Sequence, residues 1–82
     1  MDFGWILEEA ILVTAISPGE VAVDSADGRT VRLEYVERDG RGEVLADGQW
    51  YDFGDDFPCV LGIIDAAGGL APGKSMILEG EV

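Results

Sequence analysis

The chain has 82 residues, of which 48% are hydrophobic and 27% are charged, so it holds enough apolar material for one small folded domain over residues 1–82. Seventeen acidic residues against five basic ones give a formal net charge of −12. Because nucleic-acid backbones and anionic lipids are bound chiefly through Lys and Arg, this charge disfavours direct binding of nucleic acid or of a membrane surface. No apolar run approaches the ~20 residues that cross a bilayer, and we expect a cytoplasmic protein.

Residues 1–9 fit either a short helix or an extended lead-in. Beyond them, Asp-Gly pairs and a Ser-Pro-Gly turn separate apolar runs at short intervals, and Asp-Gly supplies the positive φ angles of tight hairpins. The run 10–16 is apolar at nearly every position, which is typical of a central strand covered on both faces. In the other runs apolar and polar residues alternate, as in a half-buried strand. The pattern predicts five antiparallel strands, within 10–16, 21–24, 30–37, 43–46 and 49–53.

A change of period marks the only helix that we expect. Apolar residues at helical spacing predict this short helix over 57–67, and the glycines at 68–69 are suited to end it. Gly62 weakens the prediction, because an interior glycine costs about 1 kcal/mol relative to alanine. A strand over 60–64 is the alternative.

The ends of this helix connect it to the rest of the fold. Asp55 and Asp56 stand before it, where carboxylates cap free N–H groups and meet the positive end of the helix dipole. Residues 75–82 alternate again and predict a final C-terminal strand. The predicted fold class is α+β and mainly antiparallel β: a five-stranded meander or small barrel-like curled sheet, with one short helix and that last strand.

Residues 68–75 read GGLAPGKS, which fits the pattern of a phosphate-binding loop. Such a loop works where a helix begins within it, because backbone N–H groups and the helix dipole then meet the phosphates. Only seven residues follow Ser75, too few for that helix and for the strand that carries the magnesium-binding acid. We therefore expect a turn between the helix and the last strand, with no bound nucleotide or other cofactor.

The sequence offers little material for catalysis. It contains no histidine, and no serine or cysteine has an obvious base beside it. Cys59 is expected to be a small buried hydrophobe. Asp52, Asp55 and Asp56 carry oxygen ligands for Ca²⁺ or Mg²⁺, but a calcium-binding loop of alternating ligands is absent, so we expect no metal site. These features favour a protein that is not an enzyme.

The stretch 50–57 interleaves four aromatic residues with three acids, a composition found at interface hot spots. In the alternative interpretation, two or three of these rings belong to the core and the acids cap the helix. If the acids of the chain act as one binding surface, their carboxylates should form a continuous exposed ribbon. The candidate partner-binding residues are Glu20, Asp24, Asp27, Glu43, Asp47, Trp50, Tyr51, Asp52, Asp55 and Asp56.

Two functional hypotheses follow. The first is an acidic interaction protein that covers the basic surface of a protein partner, for which a nucleic-acid-binding protein is the best candidate, by placing carboxylates where phosphates would lie. Small phage-encoded inhibitors of host nucleases and of CRISPR effector complexes, which act in the host cytoplasm, share this size, charge and lack of catalytic groups. The alternative is a small accessory or regulatory domain whose acidity reflects salt adaptation or genome composition, since one Lys accompanies four Arg. A homodimer through residues 76–82 as an edge strand is compatible with either hypothesis.

Overall fold

One antiparallel sheet with a short helix on one face makes up the computed structural model, which describes residues 3–78. The strands follow the order β5-β4-β3-β2-β1-β6, and every neighbouring pair is antiparallel. The predicted α+β class is confirmed; β5 and β6 stay apart as the two edges, so the sheet is an open meander and not a closed barrel. The elements are α1 (Trp5–Glu8), β1 (Ala10–Ser17), β2 (Glu20–Ser25), β3 (Thr30–Arg38), β4 (Arg41–Ala46), β5 (Gln49–Trp50), a 3-10 turn (Gly54–Asp56), α2 (Phe57–Ala67) and β6 (Ser75–Ile77).

Two Asp-Gly turns fix the register of the β3–β4 and β4–β5 hairpins. Asp39 and Gly40 have φ angles of 55° and 77°, and Asp47 and Gly48 have φ angles of 52° and 84°. Two consecutive residues with positive φ are the mark of the hairpin turn whose twist matches that of its flanking strands. The sequence signal and the observed backbone therefore agree at both turns.

The core lies on the face of the sheet that α2 covers. Every second residue of β2 and β3 points inwards, and Val21, Val23, Val31 and Leu33 are almost completely buried. Burying one such side chain contributes roughly 1.5–3 kcal/mol, so this row is the main source of stability for the sheet. Helix α2 closes the core from its side with Val60, Ile64 and Ala67.

The other face of the sheet has no covering element among residues 3–78, and this overturns one sequence expectation. Strand β1 does have neighbours on both sides, β2 and β6, but it is covered on only one face, because the only long helix of the described chain lies across the inner side. Val13 and Ala15 point inwards and are buried, whereas Leu12 and Thr14, on the other face, are only half-buried. Ile11 is 45% exposed. Ile11 lies where the pairing of β1 with β2 shifts register, between Ala10 and Leu12.

Helix α2 spans the residues predicted for it, but two details differ. Asp56 occupies the N-cap position without a side-chain hydrogen bond to the helix. The preceding 3-10 turn leaves its backbone helical, with φ −85° and ψ −3°, whereas a capping side chain normally comes from an extended residue. Cys59 is exposed, so the expectation that it is buried was wrong. It lies away from the face that carries Val60 and Ile64 to the sheet.

The phosphate-loop pattern at 68–75 forms the expected turn. Gly73 has a φ of 87°, and Lys74 N–H donates to Ala71 O at 3.0 Å, which closes the turn before β6 begins at Ser75. Lys74 is followed by strand β6, and no helix begins between Lys74 and Leu78, as a phosphate-binding loop would require. The described part of the chain does not include residues 79–82 of the predicted last strand or residues 1 and 2 of the lead-in. Of the two alternatives for residues 1–9, the structure shows the short helix, α1.

No helix within residues 3–78 has the length and apolar character needed to cross a membrane.

Replacing Gly62 with alanine should stabilise the protein. Gly62 is an interior residue of α2, it is exposed, and a Cβ there would meet no atom within 4 Å. The substitution Gly62→Ala is expected to raise the free energy of unfolding, measured by urea denaturation, by about 0.5–1 kcal/mol. The matched control is Gly48→Ala, also free of clashes but with a φ of 84°, which should lower it by about 1 kcal/mol. A destabilised Gly62→Ala variant would contradict the helix assignment.

Candidate interaction surface

Arg29 joins α1 to the loop between β2 and β3. Its Nη2 lies 2.6 Å from Glu9 Oε1, and its Nε lies 3.0 Å from Asp27 Oδ1. The guanidinium carbon also lies 5.1 Å from the centre of the buried Trp5 ring, within the range of a cation–π contact. One cation therefore contacts two carboxylates and one indole at the end of the sheet where β1 begins.

The β2–β3 loop holds Asp27 through its neighbours. Ser25, which is buried, donates its hydroxyl to Asp27 and accepts the backbone N–H of Arg29 at 3.1 Å. The pKa of Asp27 is lowered from 3.8 to about 2. The hydrogen bond from Ser25 is the largest cause, and the hydrogen bond from Arg29 is the next. The same contact with Asp27 raises the pKa of Arg29. Both charges therefore persist across the whole physiological range.

A shallow depression of about 400 Å³ lies beside this contact. Three carboxylates and one guanidinium share its lining, so its charged groups sum to −2. Asp55 precedes Asp56 in the 3-10 turn at the same place, which is the start of α2. The depression is lined by Gly4, Trp5, Leu7, Glu8, Glu9, Arg29 and Asp56, and we call it the α1-end depression.

The aromatic-acidic stretch forms a second depression, of about 300 Å³, beside the outer edge of β4. Tyr51 is half-buried and makes edge-to-face contacts with Phe3 and Phe53, with ring centres 5.0 and 4.8 Å apart. Trp50 differs, because it is 60% exposed. The alternative that two or three of these rings belong to the core agrees with the structure, since Tyr51, Phe53 and Phe57 are partly buried and pack against it. Among the four rings, Trp50 alone is exposed.

Two acids of this second depression make contacts within the fold. Asp52 Oδ1 accepts the backbone N–H of Gly54 at 2.9 Å and so stabilises the turn before α2. Glu43 Oε1 lies 3.7 Å from Arg38 Nε, too far for a hydrogen bond, and this buried oxygen has no hydrogen-bond partner within the described residues. Arg41 also lines this depression, so its charged groups sum to −1.

The remaining candidates lie apart from both depressions. Glu20, on β2, pairs with Arg32 at 3.0 Å on the open face of the sheet. Asp24 lies on the same strand, opposite Leu12 of β1 and Thr30 of β3. Asp47 accepts the backbone N–H of Arg32 at 2.9 Å and so has a structural role in its turn.

The structure thus divides the predicted site residues into three sets. Asp27, Asp55 and Asp56 belong to the α1 end, and Glu43 and Asp52 lie with Trp50 and Tyr51 beside β4. Glu20, Asp24 and Asp47 lie on other parts of the sheet, so the eight predicted acids do not share one depression. The sequence reasoning missed Glu8 and Glu9, although two adjacent acids in a segment with no base, residues 1–28, were a usable signal.

Within residues 3–78, no three Cys, Asp or Glu side chains come together as a group that could hold a metal ion. No family model, no curated protein and no solved structure matches the chain. The geometry of its own residues is therefore the basis for a functional proposal.

Removing the Ser25 hydroxyl should shift the titration of Asp27. Because the folded pKa is depressed, Asp27 stabilises the fold above pH 3.8, and this contribution is lost as the pH falls through about 2. Carboxyl NMR should give a midpoint near 2, and Ser25→Ala should move it towards 3.8. Ser17→Ala, which removes a hydroxyl that donates to Glu20 at 3.0 Å, is the matched control and should leave the Asp27 midpoint unchanged. An Asp27 midpoint near 3.8 in the unmodified protein would contradict the arrangement.

Proposed function

We propose that the protein is a non-enzymatic interaction protein that binds a basic surface on a protein partner. The observation that supports this most directly is the charge of the α1-end depression. Its one guanidinium, Arg29, already contacts Glu9 and Asp27, so that Glu8 and Asp56 are available to an incoming cation. No ion pair of either is found within the described residues.

A nucleic-acid-binding protein is the partner that this chemistry fits best. Such proteins present clusters of Lys and Arg spaced to meet phosphates, and carboxylates at similar spacing can replace the phosphates. A chain of net charge −12 also attracts a basic partner over a distance and increases the association rate at low salt. Binding at such a site would exclude nucleic acid, so the function is that of an inhibitor or nucleic-acid mimic, as in small phage-encoded proteins that act in the host cytoplasm.

Apolar contact must supplement the charges. An exposed ion pair contributes only about 0.2–1 kcal/mol, so carboxylates alone would give weak and unspecific binding. Leu7 lines the α1-end depression and is among the exposed large hydrophobic residues. It provides an apolar contact between the acids, in the arrangement of an interface centre surrounded by a polar rim.

Paired variants with equal changes in charge test whether the α1 end is the binding surface. The test variant, Glu8→Gln with Asp56→Asn, removes two negative charges from the depression. The control variant, Glu37→Gln with Asp65→Asn, removes two from exposed positions on β3 and α2. A basic nucleic-acid-binding protein captured from nuclease-treated lysate at low salt serves as the partner, and isothermal titration measures its affinity for each variant.

We expect the test variant to bind roughly tenfold more weakly than the unmodified chain, since the loss of two exposed pairs amounts to about 1.4 kcal/mol. The control variant should change the affinity less than about twofold, because its charges act only through the screened field. Equal weakening by both variants would assign binding to the diffuse charge and reject this surface. Failure to capture any basic partner, together with loss of the fold at low ionic strength, would favour salt adaptation as the reason for the acidity.

A further inference from the structure

The outer edge of β6 carries backbone groups that no strand of the described chain uses. Ala15 N–H donates to Lys74 O at 2.8 Å, and Leu78 N–H donates to Ile11 O at 2.8 Å. Along an antiparallel strand the groups of alternate residues point to opposite sides, so the N–H and C=O of Met76 also face β1. Those of Ser75 and Ile77 therefore point away from the sheet.

This edge of the sheet is open to solvent. Ser75 is exposed, and Ile77 is 72% exposed, the largest value among the exposed large hydrophobic residues. The opposite edge strand, β5, has only two residues, Gln49 and Trp50, which are also exposed and lie between the acids Asp47 and Asp52 in the sequence. An exposed edge with a large apolar side chain is the usual template for pairing with another strand.

The two strands at this edge, β1 and β6, contain no acidic residue, and Glu79 and Glu81 follow β6 in the sequence. No Asp or Glu occurs in residues 10–19, which include β1, or in residues 66–78, which include β6 and Lys74. Strands β2, β3 and β4 all carry acids. Apolar side chains border the edge instead, since Ile77 lies opposite Leu12 in the sheet and Leu78 N–H bonds to Ile11.

We propose that the β6 edge pairs with the same edge of a second copy of this chain. Antiparallel pairing about a two-fold axis at Met76 places Ser75 of each copy opposite Ile77 of the other. Each of these two pairs exchanges two hydrogen bonds, so all the free groups of Ser75 and Ile77 are used. Two copies of charge −12 can meet here because this strip adds no carboxylate, whereas a basic partner is attracted to the acidic surfaces elsewhere.

The proposed dimer does not depend on the proposed binding of a basic partner, and the two interactions should respond to salt in opposite directions. A contact of three residues per chain is far smaller than a standard interface, so the dimer is expected to be weak and to dissociate on dilution. Salt screens the repulsion between the two chains and strengthens the dimer. Binding of a basic partner weakens with salt, so failure of one proposal leaves the other intact.

Cysteine cross-linking tests both the edge and its register. In a Cys59→Ser background, which removes the exposed native thiol, Ser75→Cys and Ile77→Cys are prepared separately and oxidised alone or as a mixture. In the proposed register, residues 75 and 77 of different copies lie about 5.5 Å apart at Cα, within disulfide range. Residue 75 of one copy and residue 75 of the other are diagonal neighbours, about 7–8 Å apart, which is beyond disulfide range, and the same holds for the two residues 77.

We expect the mixture to form a cross-linked dimer several-fold faster than either variant alone, and faster at high salt than at low salt. Sedimentation of the unmodified chain should show mass rising with concentration, and Ile77→Pro, which removes an outward N–H without touching a bond to β1, should abolish this rise. Circular dichroism checks that this variant still folds. Equal cross-linking of all samples would overturn the register, and a monomer at every concentration and salt would overturn the dimer.

Discussion

The packing of α2 on one face of the sheet is the contact on which the rest of the structure depends. The helix has 11 residues and presents Val60, Ile64 and Ala67 to a row of buried valines. One short helix covers one face of six strands and leaves the second face and the edge strands β5 and β6 to solvent. Because only one face is covered, the inner positions are aliphatic and strands β2 to β4 carry charges on their outer side. For the same reason Ile11 and Ile77 remain exposed.

The small number of basic residues limits how many carboxylates can form ion pairs. Five basic residues stand against seventeen acidic ones, so the cations available for ion pairs are few. Arg29 contacts α1 and the β2–β3 loop together, while Arg32 pairs with Glu20 and donates its backbone N–H to Asp47. Exposed pairs of this kind contribute little energy individually, so their effect is chiefly to orient neighbouring carboxylates. The acids left without such a pair form the negative surface.

Local signals predicted the fold, and tertiary contacts decided where prediction failed. Asp-Gly turns and the two hydrophobic periods placed the strands and α2 because both signals act over a few residues. The exposure of Cys59 depends on which side of α2 faces the sheet, and the exposure of one face of β1 depends on where α2 lies. Neither can be read from local sequence patterns. The same holds for the site: Asp56 was predicted but Glu8 and Glu9 were not, since only the fold brings α1 to the start of α2.

The two tryptophans lie in opposite environments, and this gives the protein a pair of intrinsic fluorescent reporters. Trp5 is 8% exposed, under the guanidinium of Arg29, and it lines the α1-end depression. Trp50 is 60% exposed on β5, at the edge of the sheet furthest from β6. Emission from an indole shifts to longer wavelength as water gains access to it, so unfolding shifts mainly Trp5. A quencher dissolved in water reaches Trp50 first, because Trp5 is buried. If the proposed partner binds at the α1-end depression, it would change the signal of Trp5 and leave that of Trp50 in place.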